Sequence, residues 1–292
     1  MKKGVYTLLI TPFKQDYTLD EEGLRILVRR QVEAGVDGIA PLGVTGENTL
    51  MDDNEIKRVV EIIVEEAKGK VKVLPDVCEE RLDKSLDRVK LYCDLGVDYV
   101  VAYTPYLILP RPAGLIDYYE KLADTSSVPV ILHSSKSRTG VELTPEMTAK
   151  LAKHPNIIAT KDGNKQLDHL AKLIYLTRND DFLVFTGKDT TAFPTVAFGG
   201  AGTFSVSANV VPDVMAKMIH LALERKFDEA LQLHYEYYEL FEAMRFESNP
   251  MAAKKALNMM NLPGGPLRPP LTELSNEKSL IVQKLLKEKG LI

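Results

Sequence analysis

The chain predicts an α/β fold, a (β/α)8 TIM barrel followed by a C-terminal three-helix extension, and three observations lead there. Eight short runs rich in β-branched and apolar residues recur at intervals of about 20 to 35 residues. Amphipathic helical patterns fill the intervals between them. After the eighth run the strand signal stops, while helical periodicity continues to the end of the chain. At 292 residues there is room for one barrel, which takes about 250 residues, plus a helical tail. The expected division is a catalytic barrel over residues 1–224 and a helical extension packed on it over 225–292.

The predicted strands are Gly4–Phe13, Val36–Gly43, Val71–Val77, Val97–Tyr106, Val128–Ser134, Ile157–Lys161, Phe182–Gly187 and Gly202–Asn209. Between the second and third, Ile56, Val59, Val60, Ile63, Val64 and Ala67 fall on one helical stripe that suits packing against a sheet. Asp20 stands as the N-cap before Leu24, Leu27 and Val28, and Thr144-Pro145-Glu146 pairs an N-cap with proline at the first helical position. Gly35-Val36-Asp37-Gly38 and Gly96-Val97-Asp98-Tyr99 use one device twice, a glycine C-cap that turns directly into the next strand. The tail divides into helices over Lys226–Met244, Pro250–Met260 after an Asn249 cap, and Asn276–Lys289.

Composition narrows the function classes. Hydrophobic residues make up 45% and charged residues 27%, the balance of a globular protein, and a net charge of −4 without a long run of one sign recommends neither nucleic acid nor an anionic membrane as partner. Cys78 and Cys93 lack ligand or redox spacing and read as structural thiols. No apolar stretch reaches membrane-spanning length and no signal-peptide pattern opens the chain, so the cytoplasm is the expected location.

A parallel barrel does its chemistry at the carboxyl ends of its strands. Polar residues predicted there are Thr45, Glu47, Asp76, Tyr103, Tyr106, His133, Lys161, Asp162, Lys188, Asp189 and Asn209. Lys161 ends the apolar run Ile157-Ile158-Ala159-Thr160, and alternation sends it the same way as Ile157 and Ala159. If that face is the barrel interior, burial disfavours the ammonium and frees an amine to attack a ketone; the bland alternative is a lysine that reaches solvent or pairs with Asp162. A metal site built from His133, Asp76, Glu47 and Asp162 is a weaker reading, because His154, His169, His220 and His234 fall on predicted helices away from the mouth. The glycines of Gly199-Gly200-Ala201-Gly202 could cradle a phosphate, but they precede the eighth strand and suit a tight turn at the opposite end.

With Gly43-Val44-Thr45-Gly46-Glu47, Tyr103-Thr104-Pro105-Tyr106, Ser137-Arg138-Thr139-Gly140, Ile157–Lys161, Gly187-Lys188-Asp189, Ser205–Asn209 and Asn249-Pro250, the sequence resembles the dihydrodipicolinate synthase and N-acetylneuraminate lyase family of class I aldolases over essentially its whole length. The resemblance implies catalysis by Lys161 as Schiff-base former, with Thr45, Val44, Tyr106, Gly187 and Phe204 around the substrate and Arg138 on a carboxylate of the second substrate; a surface ion pair is the alternative for Arg138. It also implies a homotetramer, a dimer of dimers, and needs no metal or organic cofactor. The family's proton relay of two tyrosines and a threonine is absent: His133, Val44 and Leu107 stand in those places. His133 either serves as general acid and base, through a bridging water or the substrate carboxylate, or merely fills space. Lys136 and Lys188 add positive charge near the mouth.

The expected activity is therefore a class I aldolase or lyase acting on pyruvate or a 2-keto-3-deoxy acid through a Lys161 enamine, with a 2-keto acid and an aldehyde as small-molecule partners. Dihydrodipicolinate synthase activity on pyruvate and aspartate semialdehyde is the alternative within the same chemistry. A catalytically weak keto-acid-binding paralogue is the alternative outside it.

Overall fold

Strand and helix alternate as the periodicities require. A computed structural model of the chain describes residues 1–164 and 166–292. The strands are β1 (Gly4–Leu8), β2 (Gly38–Ala40), β3 (Lys72–Val73), β4 (Asp76–Val77), β5 (Val100–Tyr103), β6 (Val130–Ser134), β7 (Ile157–Asp162), β8 (Leu183–Thr186) and β9 (Gly202–Ser205). The helices are α1 (Glu21–Glu33), α2 (Asp53–Ala67), α3 (Leu82–Asp94), α4 (Pro112–Thr125), α5 (Lys136–Thr139), α6 (Pro145–Leu151), α7 (Leu167–Thr177), α8 (Ala192–Ala197), α9 (Pro212–Leu223), α10 (Phe227–Ala243), α11 (Met251–Met259) and α12 (Asn276–Glu288). All strand pairs are parallel, in the order β3-β2-β1-β9-β8-β7-β6-β5-β4.

The two ends of that order, β3 and β4, are halves of the predicted third strand, so the sheet closes on itself as an eight-stranded barrel. Pro75 divides them, since it has no N–H for the ladder. Backbone bonds still cross the break: Leu74 donates to Ile39, Asp76 to the Pro41 carbonyl, and Val101 to the Pro75 carbonyl. Regular pairing ends earlier than the apolar runs suggest. Leu9–Phe13 stays buried beyond β1 without continuing the ladder, and Ser207–Asn209 after β9 winds into a 3-10 turn. Arg138 and Thr139 belong to the short helix α5 rather than to a plain loop.

The capping residues behave as their chemistry dictates: Asp20 accepts from the Gly23 N–H, and Thr144 from that of Met147. Asn249 is a correction. It does not cap α11, which starts after Pro250; its side chain turns into the barrel mouth instead. The glycine turn before β9 lies at the strand starts, where Gly202 pairs with Gly4 so closely that a Cβ would stand 1.9 Å from the Gly4 carbonyl oxygen. It is a packing turn, not a phosphate cradle at the mouth.

Inside the barrel Tyr6, Phe185 and Phe204 pack ring to ring at centroid distances of 5.2 to 5.5 Å and fill the core beneath the site. The tail helix α10 packs on α8 and α9, and α12 on α10 and α11. Segments of the tail then reach the carboxyl end of the strands. Lys254 forms a fully buried ion pair with Glu47 and donates to the Pro266 carbonyl, while Arg268 binds Glu55 and the Leu50 carbonyl. No helix among the described residues is long and apolar enough to cross a membrane.

Candidate active site

Register builds the centre. In parallel strands paired residues point the same way, and Tyr103 pairs with His133, His133 with Lys161, and Lys161 with Phe185, which sets four side chains in a row across β5 to β8. The Lys161 amine hydrogen-bonds His133 Nε2, and His133 Nδ1 lies 3.0 Å from Asp76 Oδ1. All three side chains are buried. A carboxylate accepts from Nδ1–H, which leaves the Nε2 lone pair facing the lysine. Tyr103 stands edge to face against the imidazole at 4.3 Å between ring centroids and holds its plane. Its own hydroxyl is buried without a hydrogen-bond partner among the described residues.

This surrounding sets the charge states. Burial pushes the Lys161 amine down to about 8, Asp76 opposes that fall, and the Arg245 guanidinium assists it. Burial and the adjacent lysine push His133 down to about 4, against the pull of Asp76. The imidazole is therefore neutral near pH 7 and accepts a hydrogen bond from the lysine. Together these groups deliver a partly free amine oriented by a hydrogen-bond acceptor.

The cavity above is lined by Val44, Thr45, Arg138, Gly187, Arg245 and Asn249, among others. Gly187 is required by close approach, because a Cβ there would stand 2.7 Å from Lys161 Cε. Thr45 Oγ1 accepts from Asn249 Nδ2 at 2.7 Å, which orients the hydroxyl. Thus Lys161, His133, Thr45, Val44, Gly187 and Arg138 meet around one space. Tyr106 borders an adjoining cavity with Val44, Tyr103 and Arg138.

Other expectations need correction. Phe204 lines no part of this cavity; it is packed between Tyr6 and Phe185. His133 Nε2 hydrogen-bonds the Lys161 amine directly, so the imidazole does more than fill space beside it. Lys161 does not pair with Asp162, whose carboxylate binds the Asn164 N–H and, 3.0 Å away, His169 Nε2. His169 lies on α7, as expected, and does not line the cavity that holds Lys161. Glu47 turns from the mouth to Lys254 and Asp162 to His169, so the four supposed metal ligands do not converge, and no group of three or more candidate ligands occurs among the described residues. Lys136 is matched by Glu142 at 2.8 Å and adds little net charge, whereas Lys188 lines the cavity. Leu107 points outward, 86% exposed.

Sequence reasoning passed over the Asp76 bond to His133, Arg245 and the Asn249 side chain. Asp76 was visible as a strand-end carboxylate, but only the three-dimensional closure of the barrel brings β4 and β6 within reach. Arg245 follows α10 directly, where no strand pattern draws attention to it.

Comparison with known proteins agrees with this architecture. A family model described as the dihydrodipicolinate synthetase family matches residues 1–289. A 4-hydroxy-tetrahydrodipicolinate synthase of Methanospirillum hungatei is 38% identical, covering 98% of this chain and 99% of its own, and that of Methanocaldococcus jannaschii is 37% identical over all of both chains. Among solved structures, a dihydrodipicolinate synthase from Thermotoga maritima superposes with a TM-score of 0.97 at 32% identity over both full chains. One from Acinetobacter baumannii, described as complexed with pyruvate, gives 0.97 at 29% identity over both full chains. The chain belongs to the dihydrodipicolinate synthetase family and is a class I lyase or aldolase that works through a lysine Schiff base on a pyruvate-type substrate.

Proposed function

We propose that the neutral Lys161 amine attacks C2 of pyruvate and that the resulting enamine adds to aspartate semialdehyde, the reaction of a 4-hydroxy-tetrahydrodipicolinate synthase. The hydrogen bond between the buried Lys161 amine and His133 Nε2 carries the chemical part of this reading. The shared name of the relatives supports the substrate pair, and does so better than the broader assignment to 2-keto-3-deoxy acids. Attack yields a carbinolamine, loss of water an iminium, and loss of a C3 proton the enamine that forms the new carbon–carbon bond. Once the C–N bond forms the nitrogen becomes more acidic, His133 Nε2 takes its proton on the way to the carbinolamine, and Asp76 fixes the tautomer that allows it. Thr45, steadied by Asn249, suits the keto-acid carboxylate, and Arg138 that of the aldehyde. No metal or organic cofactor enters the scheme.

One observation keeps the 2-keto-3-deoxy acid reading alive: His133, Val44 and Leu107 occupy the places of the relay that the synthases use. Borohydride reduction with pyruvate tests the common step, and the expected result is a covalent mass gain confined to Lys161. No adduct would leave only a keto-acid-binding paralogue. Turnover of pyruvate with aspartate semialdehyde against other aldehydes, in the native protein and in His133→Tyr, then separates the two substrates. Aspartate semialdehyde is expected to be the fastest acceptor, and His133→Tyr is expected to be slower than the native protein, because tyrosine cannot take the place of the Asp76-bound imidazole.

We extend the reading to a homotetramer of two dimers, supported by the exposed run Leu107, Ile108 and Leu109 after β5. Sedimentation of Leu107→Asp/Leu109→Asp checks it, with a smaller species expected. A cytoplasmic location is consistent with Cys78 and Cys93 being unpaired.

A further inference from the structure

We infer that Arg245 completes an anion-binding subsite with Arg138 beside Lys161, built for the charged end of the second substrate, a carboxylate or a phosphate. The substrate identity rests on the proposed function; the subsite itself rests on geometry.

The turn that ends α10 aims Arg245 at the mouth: Met244 is fully buried, and the Arg245 N–H bonds back to the Glu242 carbonyl. The guanidinium donates to the Gly187 carbonyl, at the very residue that makes room for Lys161. A tie between α10 and the β8 loop would be sufficient reason for one such bond. It uses only one of five N–H donors, however, and no carboxylate pairs with this arginine among the described residues. Asp189 influences it from farther away, and one Asp189 oxygen is already committed to the Ser207 N–H and hydroxyl. A part-buried guanidinium without an anionic partner is costly, and a bound anion relieves that cost.

Arg138 faces the same space, and among the described residues its guanidinium makes only one long hydrogen bond, 3.4 Å to Ser248 Oγ, again without a carboxylate partner. Acidic side chains do not cancel the pair. Asp189, Glu242 and Glu247 line the outer cavity of about 500 Å³, where Glu242 and Glu247 are exposed and Glu247 accepts from the Ser275 N–H. In the inner cavity, which holds Lys161, Asp76 is the only acid among the described residues, and His133 binds one of its oxygens. An anion entering from outside therefore passes the acids and meets two arginine forks next to the amine. Bidentate donors suit carboxylate and phosphate alike.

Calorimetric titration with succinate, glycerol 3-phosphate and neutral glycerol tests the subsite, on the untreated protein and on protein reduced with pyruvate. The expected result is binding of at least one anion, not of glycerol, weakened by salt and at least tenfold weaker in Arg245→Gln, with Arg245→Lys in between. The stronger of the two anions tells carboxylate from phosphate. Thermal melts of both variants establish that they are folded. Equal affinity in the native protein and Arg245→Gln, or no anion binding at all, overturns the inference. Failure to trap pyruvate overturns the proposed function instead, and the titration of untreated protein still decides the subsite.

Discussion

A desolvated ammonium beside a neutral imidazole sets the working pH of this site. With the Lys161 amine near 8, about one-tenth of it is free at pH 7, and the free fraction grows with each step upward. Borohydride trapping of pyruvate should therefore accelerate from pH 6 to 9 with an inflection near 8, without a second inflection between pH 5 and 7, because His133 is held near 4. A rate that rises only above pH 10 would mean that the amine is hydrated like any surface lysine. Asp76→Asn separates two effects of the carboxylate. An amide can donate to Nδ1 and so favour the tautomer whose Nε2 carries the proton, which removes the acceptor facing Lys161; it also removes the negative charge that holds the amine's proton on. The expected outcome is a plateau trapping rate lowered about 100-fold, within the usual range for losing a general base, together with an inflection moved to lower pH. A loss of rate without that movement would assign Asp76 a merely structural role.

At the scale of elements, the tail holds the loop after β2. Lys254 of α11 reaches Glu47, over the Phe13 ring at 4.5 Å, and Asn249 reaches Thr45 two residues before Glu47. Removing one member of a buried ion pair strands the other charge, so Lys254→Met should cost about 3 to 5 kcal/mol in urea unfolding, and Lys254→Met/Glu47→Gln should recover part of it. The pyruvate KM should rise in the single variant, since Thr45 rides on the same loop. None of this was legible beforehand. Strands, helices and caps followed from periods and from Asp20, Thr144, Gly35 and Gly96, which act through neighbours in the sequence. Lys161 and His133 were legible because strand ends are known positions, and alternation aims their side chains. Glu47 was placed at the mouth by the same rule and turns elsewhere, because its partner lies 207 positions away in the chain, the step from 47 to 254. Phe204 failed likewise: register puts it opposite Tyr6, deeper in the barrel than motif order implies.

For the whole molecule, a reactive lysine in the barrel's interior has a thermodynamic consequence. The Lys161 amine titrates at about 8 when folded against 10.5 for the free side chain, so between those values the unfolded chain binds a proton that the native one does not. Native stability attributable to this group therefore rises with pH across that window, and below pH 8 the full cost of the buried ammonium is present. The difference of about 2.5 pH units corresponds to about 3 kcal/mol. Lys161→Met carries no such cost, although it leaves His133 Nε2 without its donor, which lowers its stability by an amount that does not vary with pH while His133 stays neutral. The absolute difference between the two proteins mixes these contributions; its pH dependence does not. Urea unfolding of both at pH 7 and pH 10 should show the advantage of Lys161→Met shrinking by up to about 3 kcal/mol as pH rises, with other titrating groups cancelling between them. A difference that stays constant with pH would mean the amine keeps its proton as readily inside the barrel as in water, and the reason for its nucleophilicity would be gone.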